Sequence, residues 1–262
     1  FCHRVESCRK GIRLHIVRSL KMCIRMPVLF RRFPRKKQNI FSKNERLLWC
    51  FSVALILVSF CIFDRKNYLT LAASLVGVTS LIFNARGNPI GQILMILFSL
   101  LYGIISFTFS YYGEMITYLG MTMPMAFFSL IAWLRHPYKG CRSQVQVNSV
   151  SKRELLILPG ITAIVTTAFY LLLLQIQTAN LVPSTISVAT SFLAVYLTFR
   201  RSPYFALAYA ANDGILIWLW VLAGITNVRY LSVVVCFVTF LINDIYGFIS
   251  WQRIKIKQAK NI

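Results

Sequence analysis

Acidic residues are scarce in this chain: seven Asp and Glu stand against 29 Lys and Arg in 262 residues, a formal net charge of +22. Charged residues of both signs make up only 14% of the total, where soluble domains carry about 25%. Histidine is rarer still, with His3, His15 and His136 as the full set, all outside the apolar stretches. That excludes a Ser–His pair at membrane depth, and with it an intramembrane serine protease. No Gly-x-x-x-x-Gly-Lys cradle for nucleotide phosphates occurs. The aspartate Asp213 sits in Ala-Asn-Asp-Gly rather than in the Gly-x-Gly-Asp that an intramembrane aspartyl protease requires. Seven cysteines are scattered without a Cys-x-x-Cys, and their odd number argues against a disulfide framework. Cys2, His3, Cys8, His15 and Cys23 match no zinc spacing. The expectation is a protein that is not an enzyme and has no metal site and no cofactor.

What the chain has instead is apolar length. Hydrophobic residues make up 57%, and they fall into eight runs at roughly 47–63, 68–84, 89–110, 115–134, 155–174, 184–199, 203–223 and 230–251. At about 1.5 Å per helical residue, each run is long enough to cross or nearly cross the roughly 30 Å hydrocarbon core. In lipid the backbone must satisfy itself within helices, so the fold class is an all-α integral membrane protein with eight transmembrane helices.

The positive charge is not spread as a nucleic-acid binder would spread it. Fourteen of the Lys and Arg lie in residues 1–46. Twelve more lie at Arg86, between Arg135 and Arg153, at Arg200-Arg201 and between Arg253 and Lys260, leaving Arg65, Lys66 and Arg229. Placing residues 1–46 in the cytoplasm as a basic tail puts all twelve on the same side, with both termini cytoplasmic. The partner implied by the charge is the bilayer, with no nucleic acid. Residues 1–46 lack the apolar core of a secretory signal, and a basic amphipathic helix over 12–26 is the one structure their pattern hints at. Residues 254–262 form a second basic tail.

Residues 68–135 and 184–253 share a plan. Each opens with a helix rich in small and hydroxyl residues, turns at a basic Pro-containing loop (Asn84 to Pro89; Arg200 to Pro203), and closes on two further helices ending Trp133-Leu134-Arg135 and Trp251-Gln252-Arg253. Pairing Pro89 with Pro203 gives an offset of 114, and pairing Trp133 with Trp251 gives 118. One helix at 155–174 joins the triplets, so they run parallel, and the run at 47–63 stands outside them as an extra N-terminal helix. Parallel three-helix repeats joined by one crossing helix are a transporter architecture, with the site between repeats near the midplane.

Two Asn-Asp pairs lie inside the last two runs, Asn212-Asp213 and Asn243-Asp244. A carboxylate at the centre of a membrane helix costs roughly 2.5–3.5 kcal/mol on insertion scales, so such residues face protein or water. Gln92 and Tyr102 share the polar stripe of the third run, Tyr209, Asn212, Asp213 and Trp220 that of the seventh, and Asn243 and Tyr246 that of the eighth. The serines and threonines on neighbouring stripes read as helix-packing residues. Trp133 and Trp251, each beside Arg, read as interface-belt residues. Trp218 and Trp220 lie deeper, and residues two apart point about 200° apart, so only one of them faces the site. Rings to stack and amides to pair with hydroxyls suit a ligand made of an aromatic ring and a sugar, and an Asp favours a cationic ring.

These stretches resemble a known family. Asn88-Pro89 with Gln92, Leu101-Tyr102-Gly103, Tyr112-Gly113-Glu114-Met115, Ala210-Ala211-Asn212-Asp213 and Asn243-Asp244-Ile245-Tyr246-Gly247-Phe248 with Trp251, in this order, look like the PnuC family of bacterial nicotinamide riboside transporters. The resemblance covers about 47–253. It implies a SWEET-like fold in the bacterial cell membrane, energy-independent alternating access, trapping of the substrate by cytoplasmic phosphorylation, and a homotrimer. It implies substrate contacts from Gln92, Tyr102, Asn212, Trp220, Asn243 and Tyr246, to which the carboxylates Asp213 and Asp244 are added from the stripes. The sequence departs from the family in reading Trp218-Leu219-Trp220 where two Trp three apart are expected. Sister carriers of thiamine, riboflavin or a deoxynucleoside, and a SWEET-like sugar carrier, are the alternatives.

Overall fold

A computed structural model describes residues 42–178 and 180–260. The helix expected over 12–26, most of the first basic tail and the Cys/His set at 2–23 lie outside the described residues. The described chain contains eight helices of membrane-spanning length and apolarity: α1 (Lys43–Phe63), α2 (Tyr68–Ala85), α3 (Ile90–Thr108), α4 (Tyr112–Arg135), α5 (Lys152–Gln175), α6 (Leu181–Phe199), α7 (Phe205–Thr226) and α8 (Leu231–Ala259).

Several helices start earlier or end later than hydropathy alone placed them, and the reasons are local. Ser42 and Glu45 cap each other's backbone N–H groups, so α1 begins at Lys43. Ser151 and Glu154 do the same for α5. At the other end of the chain, α8 continues to Ala259, so residues 254–259, read above as tail, extend the last helix. Helix α4 widens into one π turn at Tyr118–Thr122, immediately before Pro124. A proline cannot donate to the preceding turn and crowds its carbonyl, and a π turn is one way a helix absorbs that.

Helix α2 packs against α3 and α8, and α6 packs against α7 and α4. The first helix of each triplet therefore touches the third helix of the other. α5 packs on α6 and buries little, only Leu158, Thr162 and Leu173. Glu154 at its start accepts from Tyr196 Oη at 2.6 Å and pairs with Arg200. α1 lies against α2 and α8, held by Trp49 Nε1 donating to Thr79 Oγ1 at 3.2 Å and by an Arg86–Glu45 ion pair at 3.8 Å.

The two basic turns are copies of each other in backbone detail. Gly87 (φ 67°) and Arg201 (φ 58°) are both left-handed, 114 positions apart. Gly87 N–H donates to Asn84 O and Asn88 N–H to Phe83 O; Arg201 N–H donates to Thr198 O and Ser202 N–H to Leu197 O. Pro89 and Pro203 are both buried.

The tryptophans that close the triplets correct their reading as interface residues. Trp133 is 1% exposed and Trp251 is fully buried. Trp133 Nε1 donates to Thr198 O at 3.0 Å, and Trp251 Nε1 donates to Asn84 O at 2.7 Å. Each indole thus adds a second bond to a carbonyl at the end of the first helix of the other triplet, where the turn's own N–H already donates. The two rings lie 5.5 Å apart, with Phe205 at 4.9 Å from Trp251. Hydropathy and a neighbouring Arg cannot distinguish a Trp anchored at the lipid interface from one turned inward at the same depth.

The α4–α5 connection crosses this basic end. It begins as a hairpin, β1 (Pro137–Tyr138) against β2 (Cys141–Val145), turned by Lys139 and Gly140, both at positive φ. Val145 N–H then donates to Gly87 O at 2.9 Å and Asn148 N–H to Arg201 O at 3.0 Å. Gln258, on the extension of α8, brackets the strand by accepting from Val147 N–H and donating to Val145 O. One segment therefore grips both basic turns and the end of α8.

Candidate substrate-binding site

The densest aromatic cluster forms between α3, α4, α7 and α8. Tyr102 on α3 is its centre. Its ring meets Tyr118 at 4.4 Å, Phe237 at 5.5 Å and Phe98 at 5.6 Å. Trp220 Nε1 donates to Tyr102 Oη at 2.7 Å. Trp220 in turn packs on Tyr111 at 4.9 Å and on Phe109 and Tyr230, both at 5.8 Å. Most of these contacts are edge-on, the favoured arrangement for ring quadrupoles. The cluster lies toward the end opposite the basic turns. Trp220 is completely buried while Trp218 is 44% exposed, so helical phase singles out one tryptophan.

Below the rings runs a polar layer. Asn212 Oδ1 on α7 accepts from Thr190 Oγ1 at 2.8 Å and Ser191 Oγ at 2.9 Å on α6, with Ser187 Oγ at 3.5 Å. Tyr118 lies close to the Asn212 side chain. The single Ser187 hydroxyl lies between Asn212 Oδ1 and Glu114 Oε2, at 3.4 Å from the latter, and can donate to either. Asp213 and Asp244 face each other as a carboxyl pair across the α7–α8 contact, with Tyr209 beside them. Both carboxyls are 4% exposed.

The structure thus brings together five of the eight sequence-derived residues: Tyr102 and Trp220 as a bonded pair, Asn212 beneath them, and Asp213 with Asp244. The other three lie apart. Gln92 donates to Asn84 Oδ1 at 2.8 Å, part of a chain with Ser80 that stitches α2 to α3 near the basic end. Asn243 turns to α1, donating to Ser52 Oγ at 2.8 Å and to Thr239 O. Tyr246 is half-buried beside Ser42 at the start of α1. Adjacent positions on one helix point 100° apart, which is how Asn243 meets α1 while Asp244 meets α7.

Sequence reasoning passed over Glu114. Its run was placed from residue 115, which left the acid in a loop. Helix α4 instead starts at Tyr112, and Glu114 lies in its first turn, completely buried. The serines Ser187 and Ser191 fit the packing reading of their stripe, yet with Thr190 they surround the Asn212 amide oxygen. A small cavity of about 10 Å³ touches Tyr102, Cys236 and Phe237. That is about the smallest volume that holds one water, and with Trp220 and Glu114 fully buried, Asn212 1% exposed and Tyr102 3% exposed, the helices close over the centre.

An enclosed centre of rings, an amide and carboxyls, built between helices of two triplets in an eight-helix apolar bundle, defines a membrane transporter. The comparisons place it further. The family described as "Nicotinamide mononucleotide transporter" matches residues 67–253, and this chain belongs to that family, the PnuC transporters. The nicotinamide riboside transporter PnuC of Neisseria mucosa is 24% identical over 198 residues, spanning 74% of this chain and 75% of the relative. The crystal structure of the vitamin B3 transporter PnuC superposes with a TM-score of 0.74 at 22% identity, covering 83% of this chain and 94% of the other.

Proposed function

We propose that this protein carries nicotinamide riboside into the cell by alternating access, driven by the substrate gradient alone, with cytoplasmic phosphorylation making uptake one-way. The observation that carries the reading is the Trp220–Tyr102 pair standing over Asn212: two rings to sandwich a nicotinamide and an amide to meet its polar edge. The name of the Neisseria relative supports the substrate. Tyr102, Asn212 and Trp220 are the first contacts, and Asp213, Asp244 and Glu114 line the same space. Gln92, Asn243 and Tyr246 act at a distance by holding helices. The matched turns and the exchanged tryptophan bonds support two parallel repeats that rock about this centre. The charge asymmetry supports a cytoplasmic basic end in a bacterial plasma membrane.

Calorimetry on purified protein with nicotinamide riboside, thiamine, riboflavin and a deoxynucleoside tests the substrate. Binding of nicotinamide riboside is expected. Binding of another member alone moves the protein to a sister vitamin carrier, which the Trp218-Leu219-Trp220 spacing keeps in the comparison, and binding of none overturns the substrate reading. Liposomes test the energetics: uptake should stop at equal concentrations without ATP or an ion gradient, and accumulation beyond that overturns it.

A further inference from the structure

Glu114 is fully buried; its Oε2 has only a 3.4 Å bond from Ser187, and its Oε1 has no partner at all. Among the described residues the ion pairs are Arg86–Glu45 and Arg200–Glu154, so no cation accompanies this acid. A buried carboxyl without its counter-ion is costly, by several kcal/mol in general, and the sequence offers cheaper residues of that shape. Its surroundings are not generic either. Tyr102, Tyr111 and Tyr118 all lie within electrostatic range of it, and Ser187 lies between it and Asn212. Tyr111 in turn packs on Trp220. The open oxygen therefore belongs to the same aromatic centre as the proposed contacts.

A carboxylate beside ring faces is the chemistry that recognises a flat organic cation: the rings offer their negative faces and the acid supplies the opposite charge. We infer that Glu114 is the charge-selecting residue of the site, the counter-ion that makes the transporter prefer a cationic ring, such as the N-glycosylated pyridinium of nicotinamide riboside, over a neutral ring of equal shape. This rests on the substrate reading above for the particular ring, but the preference for positive charge does not.

The test compares like shapes of different charge. Purified wild-type protein, Glu114→Gln and Glu114→Asp are titrated with nicotinamide riboside, its uncharged 1,4-dihydro form, thiamine (a cation) and riboflavin (neutral). Wild type should bind nicotinamide riboside at least about 30-fold more tightly than the dihydro form, the scale on which a buried charge partner acts. Glu114→Gln should remove that preference by weakening the cation while leaving the neutral form within about threefold. Glu114→Asp, which keeps the charge, should retain most of the preference, and this rescue separates charge selection from a folding defect. Equal loss of both ligands in Glu114→Gln, or an unchanged preference, overturns the inference while the substrate reading stands. Glu114-dependent binding of thiamine without nicotinamide riboside sinks the substrate reading and supports the inference. Tight binding of riboflavin, indifferent to position 114, or of no ligand at all, overturns both.

Discussion

The hydrogen bond from Trp220 Nε1 to Tyr102 Oη is short, fully enclosed and made between helices of different triplets. In the proposed binding mode a substrate ring enters by parting these two side chains, so the bond should be a latch on the closed state. Tyr102→Phe deletes one oxygen and leaves the ring contacts to Tyr118, Phe98 and Phe237 in place. Trp220→Phe deletes the donor but also sheds contact with Tyr111, Phe109 and Tyr230, so its effect should be the larger. The latch itself is isolated by a double-mutant cycle. Side-chain hydrogen bonds between membrane helices average about 0.6 kcal/mol and reach about 1.7, so its loss should raise the open population about 3- to 18-fold. Cys236 reads this out: it is 5% exposed and borders the small cavity beside Tyr102. With the other six cysteines replaced by serine, the rate at which a water-soluble maleimide labels Cys236 follows the opening equilibrium when closing is fast. Tyr102→Phe should speed labelling about 3- to 18-fold. Adding Trp220→Phe to it should multiply the rate by less than Trp220→Phe does alone, because the bond is already gone. Labelling rates that multiply independently, with coupling under about 0.3 kcal/mol, would show that the bond does not hold the closure.

Asn212→Ala should cost about 1 kcal/mol of stability from the bonds to Thr190 and Ser191, and weaken nicotinamide riboside binding at least about tenfold; thermal unfolding and calorimetry separate the two, and wild-type affinity would remove Asn212 from the site. Asn243→Ala and Ser52→Ala should destabilise to a similar, non-additive extent of about 0.6–1.7 kcal/mol with ligand affinity held within about twofold, because their shared bond fastens α1; a tenfold loss of affinity in Asn243→Ala alone would return that residue to the site. Arg201→Gly should raise the unfolding temperature, since a non-glycine side chain in the left-handed region costs roughly 1–2 kcal/mol, whereas Gly87→Ala at the equivalent turn should lower it. Equal signs for the two would contradict the matched-turn geometry.

The bundle was legible because its causes are one-dimensional. Apolar length sets the number of crossings, Lys and Arg mark one end, and the Pro-containing turns at 89 and 203 announce themselves in the order of residues. The resemblance carried Tyr102, Asn212 and Trp220 to one centre for a related reason: each lies on a polar stripe, and stripes on bundle helices turn away from lipid. What failed was phase and depth. Asn212 and Asn243 look equivalent in sequence, each preceding an Asp in an apolar run. Only packing shows that α7 presents its amide to α6, while α8 presents its own to the extra helix α1. Glu114 was missed because it stands at the edge of its run, where hydropathy sets the boundary just after the acid, whereas the helix begins at Tyr112 and neighbouring helices cover the carboxyl.

The closed centre is shut by different materials at its two ends. Toward Tyr230 it is shut by side chains: Phe109, Trp220 and Tyr230 meet edge to face, and Tyr111 packs at a tilt on Trp220. At the basic end it is shut by backbone. Trp133 and Trp251 hold carbonyls of the opposite triplet, and the 137–150 segment bonds both turns, at Gly87 O and Arg201 O. Breaking either indole bond would leave a buried donor unpaired, so on the alternating access proposed above this end would open by the triplets moving as units. The 114-residue correspondence of the turns is what such a motion, symmetric about the Trp133–Trp251 contact, would use. The segment that links the triplets is then more than a connector. Anchored to both turns and to Gln258, it would on that proposal let go of at least one of them when the basic end opens.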